Sequence, residues 1–178
     1  MVIDFLFITL GYLILNRVGI SVVMVKEENL SLRLATISDL ESIYNLIYGL
    51  SCFEKRPQDM TANISDLSTS LFKNKEAHVY LIEYLEESSP IGYILYYPVF
   101  GSFSCSRGVH LEDFYLVEKY RGKGIGKWAF LKFSKILKEK NYSKIEWSSL
   151  SWNKQAIGFY EHLGAKEEKG RTYFEYDI

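Results

Sequence analysis

A chain of 178 residues with 21 basic and 22 acidic side chains has the size of one domain and a net charge of −1, which excludes the electrostatic footprint of a nucleic-acid binder. Its 48% hydrophobic and 16% aromatic content excludes a disordered polymer, and fourteen tyrosines exceed the needs of a core, so that some are expected to line a cleft. Cys52 and Cys105 cannot build a disulfide framework and fit a reducing cytoplasm, while His78, His110 and His162 are too scattered for a metal site, so no metal is expected.

Residues 1–23 differ from the rest. Phe5 to Leu15 is nearly unbroken apolar sequence, too short to span a bilayer and lacking both the early positive charge and the cleavage site of a secretory signal. Two readings stand, a mis-assigned start with the functional chain running from Met24 to Ile178, or a membrane-associating leader. From Leu30 to Ala35 the period is two, as in a half-buried strand. Ser38-Asp-Leu-Glu41 reads as a capping box, and Leu40, Ile43, Tyr44, Leu46, Ile47 and Leu50 form the core stripe of the helix behind it. A second helix is expected over Ile64–Phe72, then strands over His78–Leu85 and Ile91–Tyr97, and a loop over Pro98–Gly108. Val109–Val117 reads as the central strand, Ile125–Glu139 as a helix, and Lys144–Leu150 as a strand. Asn153–Leu163 is a helix stopped by Gly164, with a possible short strand at Ala165–Lys169 and a last strand at Arg171–Tyr176. The order β-α-α-β-β-β-α-β-α-β is a single mixed α/β domain, with no internal repeat or linker after Met24.

Between central strand and helix stands Tyr120-Arg-Gly-Lys-Gly-Ile-Gly126. Three glycines at the mouth of a helix let the backbone approach a ligand, and the unpaired N–H groups there face outward at the positive end of the dipole. Such a site suits phosphate oxygens; the plainer alternative is a glycine-rich turn with no ligand. Trp128 after Lys127 excludes a P-loop, and the spacing and late position exclude a dinucleotide fingerprint.

Arg121-Gly-Lys-Gly-Ile-Gly126 after a strand, with Trp152-Asn153 and Phe159-Tyr160-x-x-x-Gly164-Ala165 downstream, resembles the GNAT N-acetyltransferases. Leu111-Glu-Asp-Phe114 and Phe53-Glu54 narrow the resemblance to the diamine (spermidine/spermine) branch, and it covers Leu30 to Ile178. The resemblance implies a mostly antiparallel sheet flanked by helices on both faces. It implies acetyl-CoA as cosubstrate, its pyrophosphate held by backbone amides of Arg121, Gly122, Lys123, Gly124, Ile125, Gly126 and Lys127. A bulge in the strand before the loop would free backbone groups of Phe114, Tyr115 and Leu116 for the pantetheine arm, one amide polarising the acetyl carbonyl. Asn153, with Lys154, Gln155 and Ala156 opening its helix, would touch the cofactor.

The resemblance further implies roles in transfer. Attack on a thioester needs a neutral amine, whereas an alkyl amine ordinarily holds its proton to a pKa of about 10.4. Glu112 is the candidate to attract the cation and accept its proton, and Asp113, on the opposite face of a regular strand, takes a structural or secondary role. Tyr160 stands where the family's general acid protonates the departing thiolate. Phe53 and Glu54 match an aromatic–acidic pair that holds the amine, with a cation–π contact open to Phe53. The run Lys166 to Gly170 is shorter than in the branch, and Glu167 and Glu168 stand there as candidates for a further substrate carboxylate. The implied function is N-acetylation of a small cationic amine by a homodimer. A peptide N-acetyltransferase of the same fold, a non-catalytic acetyl-CoA-binding module and, on residues 1–23 alone, a membrane-anchored structural protein are the alternatives.

Overall fold

In a computed structural model, the structure describes residues 25–170 together with Thr172, Phe174 and Tyr176. The apolar segment and the expected boundary at Met24 lie outside the described residues, as do Arg171, Tyr173 and Glu175 of the expected last strand. Among the described residues, no helix is long and apolar enough to cross a membrane.

Among the described residues, five strands form one sheet in chain order: β1 (Leu30–Leu34), β2 (His78–Tyr84), β3 (Gly92–Gly101), β4 (Ser106–Leu116) and β5 (Lys144–Glu146). All neighbours are antiparallel except β4 and β5, which run parallel and are joined through helix α3 (Ile125–Glu139). Helix α1 (Leu40–Phe53) and the short α2 (Ile64–Leu67), which continues as π-helix over Ser68–Asn74, cover the opposite face. Helix α4 (Lys154–His162) lies by the start of α3. The mixed, mostly antiparallel sheet with helices on both faces is the expected architecture.

Two cores follow from strand alternation. Ile82, Ile94, Val109 and Leu111 meet Ile125, Ala129, Phe133 and Leu137 of α3, whereas Leu81, Tyr93 and Leu95 meet Ile43 and Leu46 of α1. Burying each Val, Leu, Ile or Phe side chain among these contributes about 1.5–3 kcal/mol. Among the described tyrosines, Tyr80, Tyr84, Tyr93, Tyr96 and Tyr120 are buried. Tyr80 and Tyr96 pack their rings on Phe133 at 5.8 and 5.1 Å, and the buried Tyr93 and Tyr120 donate to Asp113 and Glu87.

Several boundaries differ from expectation. The capping box is Thr36-x-x-Asp39, two residues early: Asp39 Oδ2 accepts from the Thr36 N–H at 2.8 Å, while both its oxygens take the Arg33 guanidinium at 2.8 Å. That ion pair holds the Asp39 carboxyl far below its usual range and ties the start of α1 to β1. α1 runs to Phe53 before left-handed Lys55. Pro98–Gly108 is not a loop; β3 and β4 continue as a hairpin to Gly101 and Ser106. Pro98 is tolerated because β2 ends at His78, opposite Tyr96, leaving one side of β3 without a ladder to donate to. β5 pairs only as far as Glu146, and Ala165–Lys169 is irregular.

Candidate active site

The site begins with a count of residues. Leu95 pairs with Asp113 and the adjacent Tyr96 with Leu111, so Glu112 is an extra residue in β4. An extra residue shifts the phase of a strand: Val109 and Leu111 face α3, and after the bulge Phe114 and Leu116 do. Glu112 and Asp113 consequently share one face, correcting their expected separation. Across the strands, Tyr93 pairs with Tyr115, Leu95 with Asp113 and Tyr97 with His110, all on that face, and His110 Nε2 lies 3.7 Å from Glu112 Oε2.

The bulge comes earlier than expected, and the open backbone has a second cause. β5 leaves β4 after His110–Glu146, while β3 follows β4 to Leu116. Past His110, one edge of β4 therefore borders a gap. Of the three residues expected to offer free backbone there, Leu116 does so only in part, because its carbonyl accepts from Arg121 Nε at 2.7 Å.

That gap widens into a cleft of about 320 Å³ floored by Phe114 and Leu116. Arg121, Gly122, Gly124, Gly126 and Lys127 form one wall, and Asn153, Gln155, Ala156 and Phe159 the other. Gly122 and Gly124 have φ of +71° and +81°, a region that favours glycine, and a Cβ on either would meet nothing within 4 Å. The first bond of α3 runs from the Trp128 N–H to the Gly124 carbonyl, so the amides of Ile125, Gly126 and Lys127 precede the ladder. Arg121, Lys123 and Lys127 add positive charge at this mouth. The Ile125 side chain is core, leaving its backbone to the site, and Lys123 and Lys154 stand exposed. Asn153 caps α4, its Oδ1 accepting from the Ala156 N–H at 3.1 Å, and that cap does not use its Nδ2 donors. A cradle of unpaired amides with basic side chains fits a pyrophosphate.

On the far side of β4 the charge reverses. Asp113 is half-buried and accepts from the Tyr93 hydroxyl at 2.9 Å. Burial, helped by the Glu112 and Glu54 charges, pushes its carboxyl up to about 6 against the opposing Tyr93 hydrogen bond. Burial also raises the Glu54 carboxyl, at the end of α1. Asp113 thus stands nearer the centre of the acidic group than its expected secondary role implied. Glu167 and Glu168 lie exposed in irregular chain after α4.

Two aromatics have contacts the sequence did not indicate. Phe53 lines the cleft, tilted on Trp152 with centroids 6.0 Å apart, and the cation over its ring is the Arg121 guanidinium at 4.2 Å, which also lies 5.3 Å from Tyr115. On α4, Phe159 faces the cleft beside Phe114, a residue the sequence reading named only as motif. Tyr160 packs its ring on Trp147 at 4.8 Å and on Phe130 at 6.3 Å, and burial pushes its phenol up to about 12.

Comparison with known proteins bears on the family and the fold. The profile of the acetyltransferase (GNAT) family matches residues 38–165. The thialysine N-epsilon-acetyltransferase of Mus musculus is 31% identical over 156 residues, covering 82% of this chain and 91% of that protein. The L-ornithine N5-acetyltransferase of Arabidopsis thaliana is 26% identical, covering 76% and 78%. A crystal structure of an aminoglycoside acetyltransferase from an uncultured soil sample, solved with sisomicin, superposes with a TM-score of 0.73 at 16% identity, covering 85% of this chain and 98% of that one.

Proposed function

The chain belongs to the GNAT acetyltransferase family, and from that premise we propose that it acetylates the primary amine of a small cation, a polyamine, a diamine or a lysine-like amino acid. The observation that carries this reading is the reversal of charge across β4. An amide cradle with Lys123 and Lys127 stands on one side and Glu54, Glu112 and Asp113 on the other, while the Arg121 guanidinium lies over Phe53 and Tyr115. The relatives that act on thialysine and ornithine support an acceptor of this kind.

Acetyl-CoA supplies the acetyl group as an activated thioester. The loop amides and Asn153 hold the cosubstrate, and the free edge of β4 aligns it above Phe114 and Leu116. Glu54 and Asp113 draw the ammonium cation in, and their negative field concentrates it before attack. Glu112, in the bulge and half exposed, accepts the proton that the amine must lose. Tyr160 keeps its own proton across the working range, since burial raises it to about 12, and so is charged to donate to a thiolate. The acetyltransferase unit spans 24–178, on the change of sequence at Met24, works in the cytoplasm, on its cysteine usage, and pairs as a homodimer, on the family resemblance.

The test is thiol release by the purified chain with acetyl-CoA over spermidine, ornithine, thialysine and lysine peptides. Small diamines should exceed peptides by at least about tenfold in kcat/KM, equivalent to about 1.4 kcal/mol. Turnover of peptides alone would overturn the acceptor, and no release with any amine would reduce the chain to a cofactor-binding module.

A further inference from the structure

The geometry points to His110 as a positioning residue that acts through Glu112, taking from it the proton lost by the amine and passing that proton to solvent. The inference rests on the proposed N-acetyl transfer and extends it to a residue outside the expected machinery.

Proton balance creates the need. An ammonium R–NH3⁺ and a thioester become R–NH–CO–CH3, a thiol and one H⁺. The N–C bond forms, the C–S bond breaks, and the nitrogen gives up two protons. One ends on sulfur. The other must reach water, and a carboxylate that keeps it blocks the next turnover.

His110 is placed for that task by the bulge. Its Nε2 stands 3.7 Å from Glu112 Oε2, and its ring stacks on Tyr97 at 5.0 Å and 21°, which restrains its orientation. The His110 side chain keeps 26% of its surface in solvent, and Glu112 keeps 53%, so water reaches both. Two other elements present groups to this pair. Tyr97 comes from β3, and Glu146 stands in register on β5 with its carboxylate 2.7 Å from Lys144 Nζ, while the Glu54 charge from α1 acts on the neighbouring Asp113. Asp113 follows on β4 itself. An imidazole ordinarily changes charge near neutral pH, which suits a group that must both take and release a proton there.

Rate–pH profiles of kcat for wild type, His110→Gln and Asp113→Asn provide the test, alongside NMR titration of the His110 imidazole in wild type and Glu112→Gln. Both Asp113 and an imidazole can bend the acid limb, which is why both variants are needed. His110→Gln should lower kcat about tenfold or more with acetyl-CoA KM within about twofold, and should remove the near-neutral part of the limb that Asp113→Asn leaves in place. In Glu112→Gln the His110 imidazole resonances should move at constant pH, as expected on losing a neighbouring carboxylate. Wild-type turnover with an unchanged limb in His110→Gln would overturn the role of His110 and leave the acceptor reading intact. Imidazole resonances indifferent to Glu112→Gln would overturn it as well, and that readout needs no turnover.

Discussion

Tyr93 donates its hydroxyl to Asp113 Oδ2 at 2.9 Å between two adjacent strands, beneath the acidic side of the site. The bond favours the ionised carboxylate, but burial outweighs it and the carboxyl titrates at about 6. A carboxyl ordinarily at about 3.9 that is raised by folding binds protons more tightly in the folded state, so its contribution to stability is present below about 4 and is lost as pH rises through about 6. Asp113→Asn keeps an acceptor for Tyr93 and removes the charge. It should flatten stability between pH 4 and 6 and raise it at pH 8 by about 1–2 kcal/mol in urea denaturation. The amine KM should rise about tenfold or more. A variant less stable than wild type at pH 8 would refute the burial account.

Glu112 owes its place to one extra residue, so chemistry and geometry can be separated there. Glu112→Gln retains the bulge and loses the proton acceptor. Its kcat should fall about 100-fold with little change in acetyl-CoA affinity, measured by steady-state kinetics and calorimetry. Loss of cofactor binding instead would mean that Glu112 shapes the β4 edge.

The bulge was legible in the sequence, although the regular-strand reading missed its position. Apolar positions 109, 111, 114 and 116 break period two between Leu111 and Phe114, and the break marks Glu112. The glycine loop was legible because Gly122 and Gly124 meet a local backbone need. The capping box was not: Thr36-x-x-Asp39 and Ser38-x-x-Glu41 compete locally, and Arg33 decides between them by gripping Asp39. Nor was the Phe53–Arg121 stack, since a contact across such a sequence separation has no periodic signal. For the same reason, spacing along the chain could not reveal that β5 would part from β4 after His110.

Gly124 tests the cradle with little disturbance of the core. A Cβ there would have open space, so Gly124→Ala costs about 1–2 kcal/mol in left-handed backbone strain at φ +81°. Its relaxation would turn the first amides of α3. Acetyl-CoA affinity should drop about tenfold by calorimetry, and kcat at saturating acetyl-CoA should change less. Unaltered affinity would remove these amides from the cofactor site.

Gly92 tests the cleft floor from behind. A Cβ at Gly92 would lie 2.4 Å from the Tyr115 carbonyl oxygen and 3.0 Å from Leu116 Cδ1, where β3 supports the strand that floors the cleft. Gly92→Ala must push the two strands apart, at a cost of about 1–3 kcal/mol. Thermal unfolding should show a Tm several degrees lower, with weaker acetyl-CoA binding. A wild-type Tm would mean that the strands separate freely.

The neighbours Phe159 and Tyr160 divide two tasks on α4. Phe159 faces the cleft beside Phe114, with rings 5.9 Å apart, whereas Tyr160 is packed on Trp147 and carries the one hydroxyl of the pair. Phe159→Ala should therefore raise acetyl-CoA KM about tenfold and lower stability by up to about 3–5 kcal/mol, less to the extent that its cleft face is already open to water. Tyr160→Phe preserves the packing and removes only the proton, so kcat should fall about tenfold or more while acetyl-CoA KM and Tm hold. Because burial places the Tyr160 phenol at about 12, wild type should show no basic limb from this group below about pH 10. An unchanged kcat in Tyr160→Phe would assign protonation of the thiolate to water and leave Tyr160 as a packing residue against Trp147.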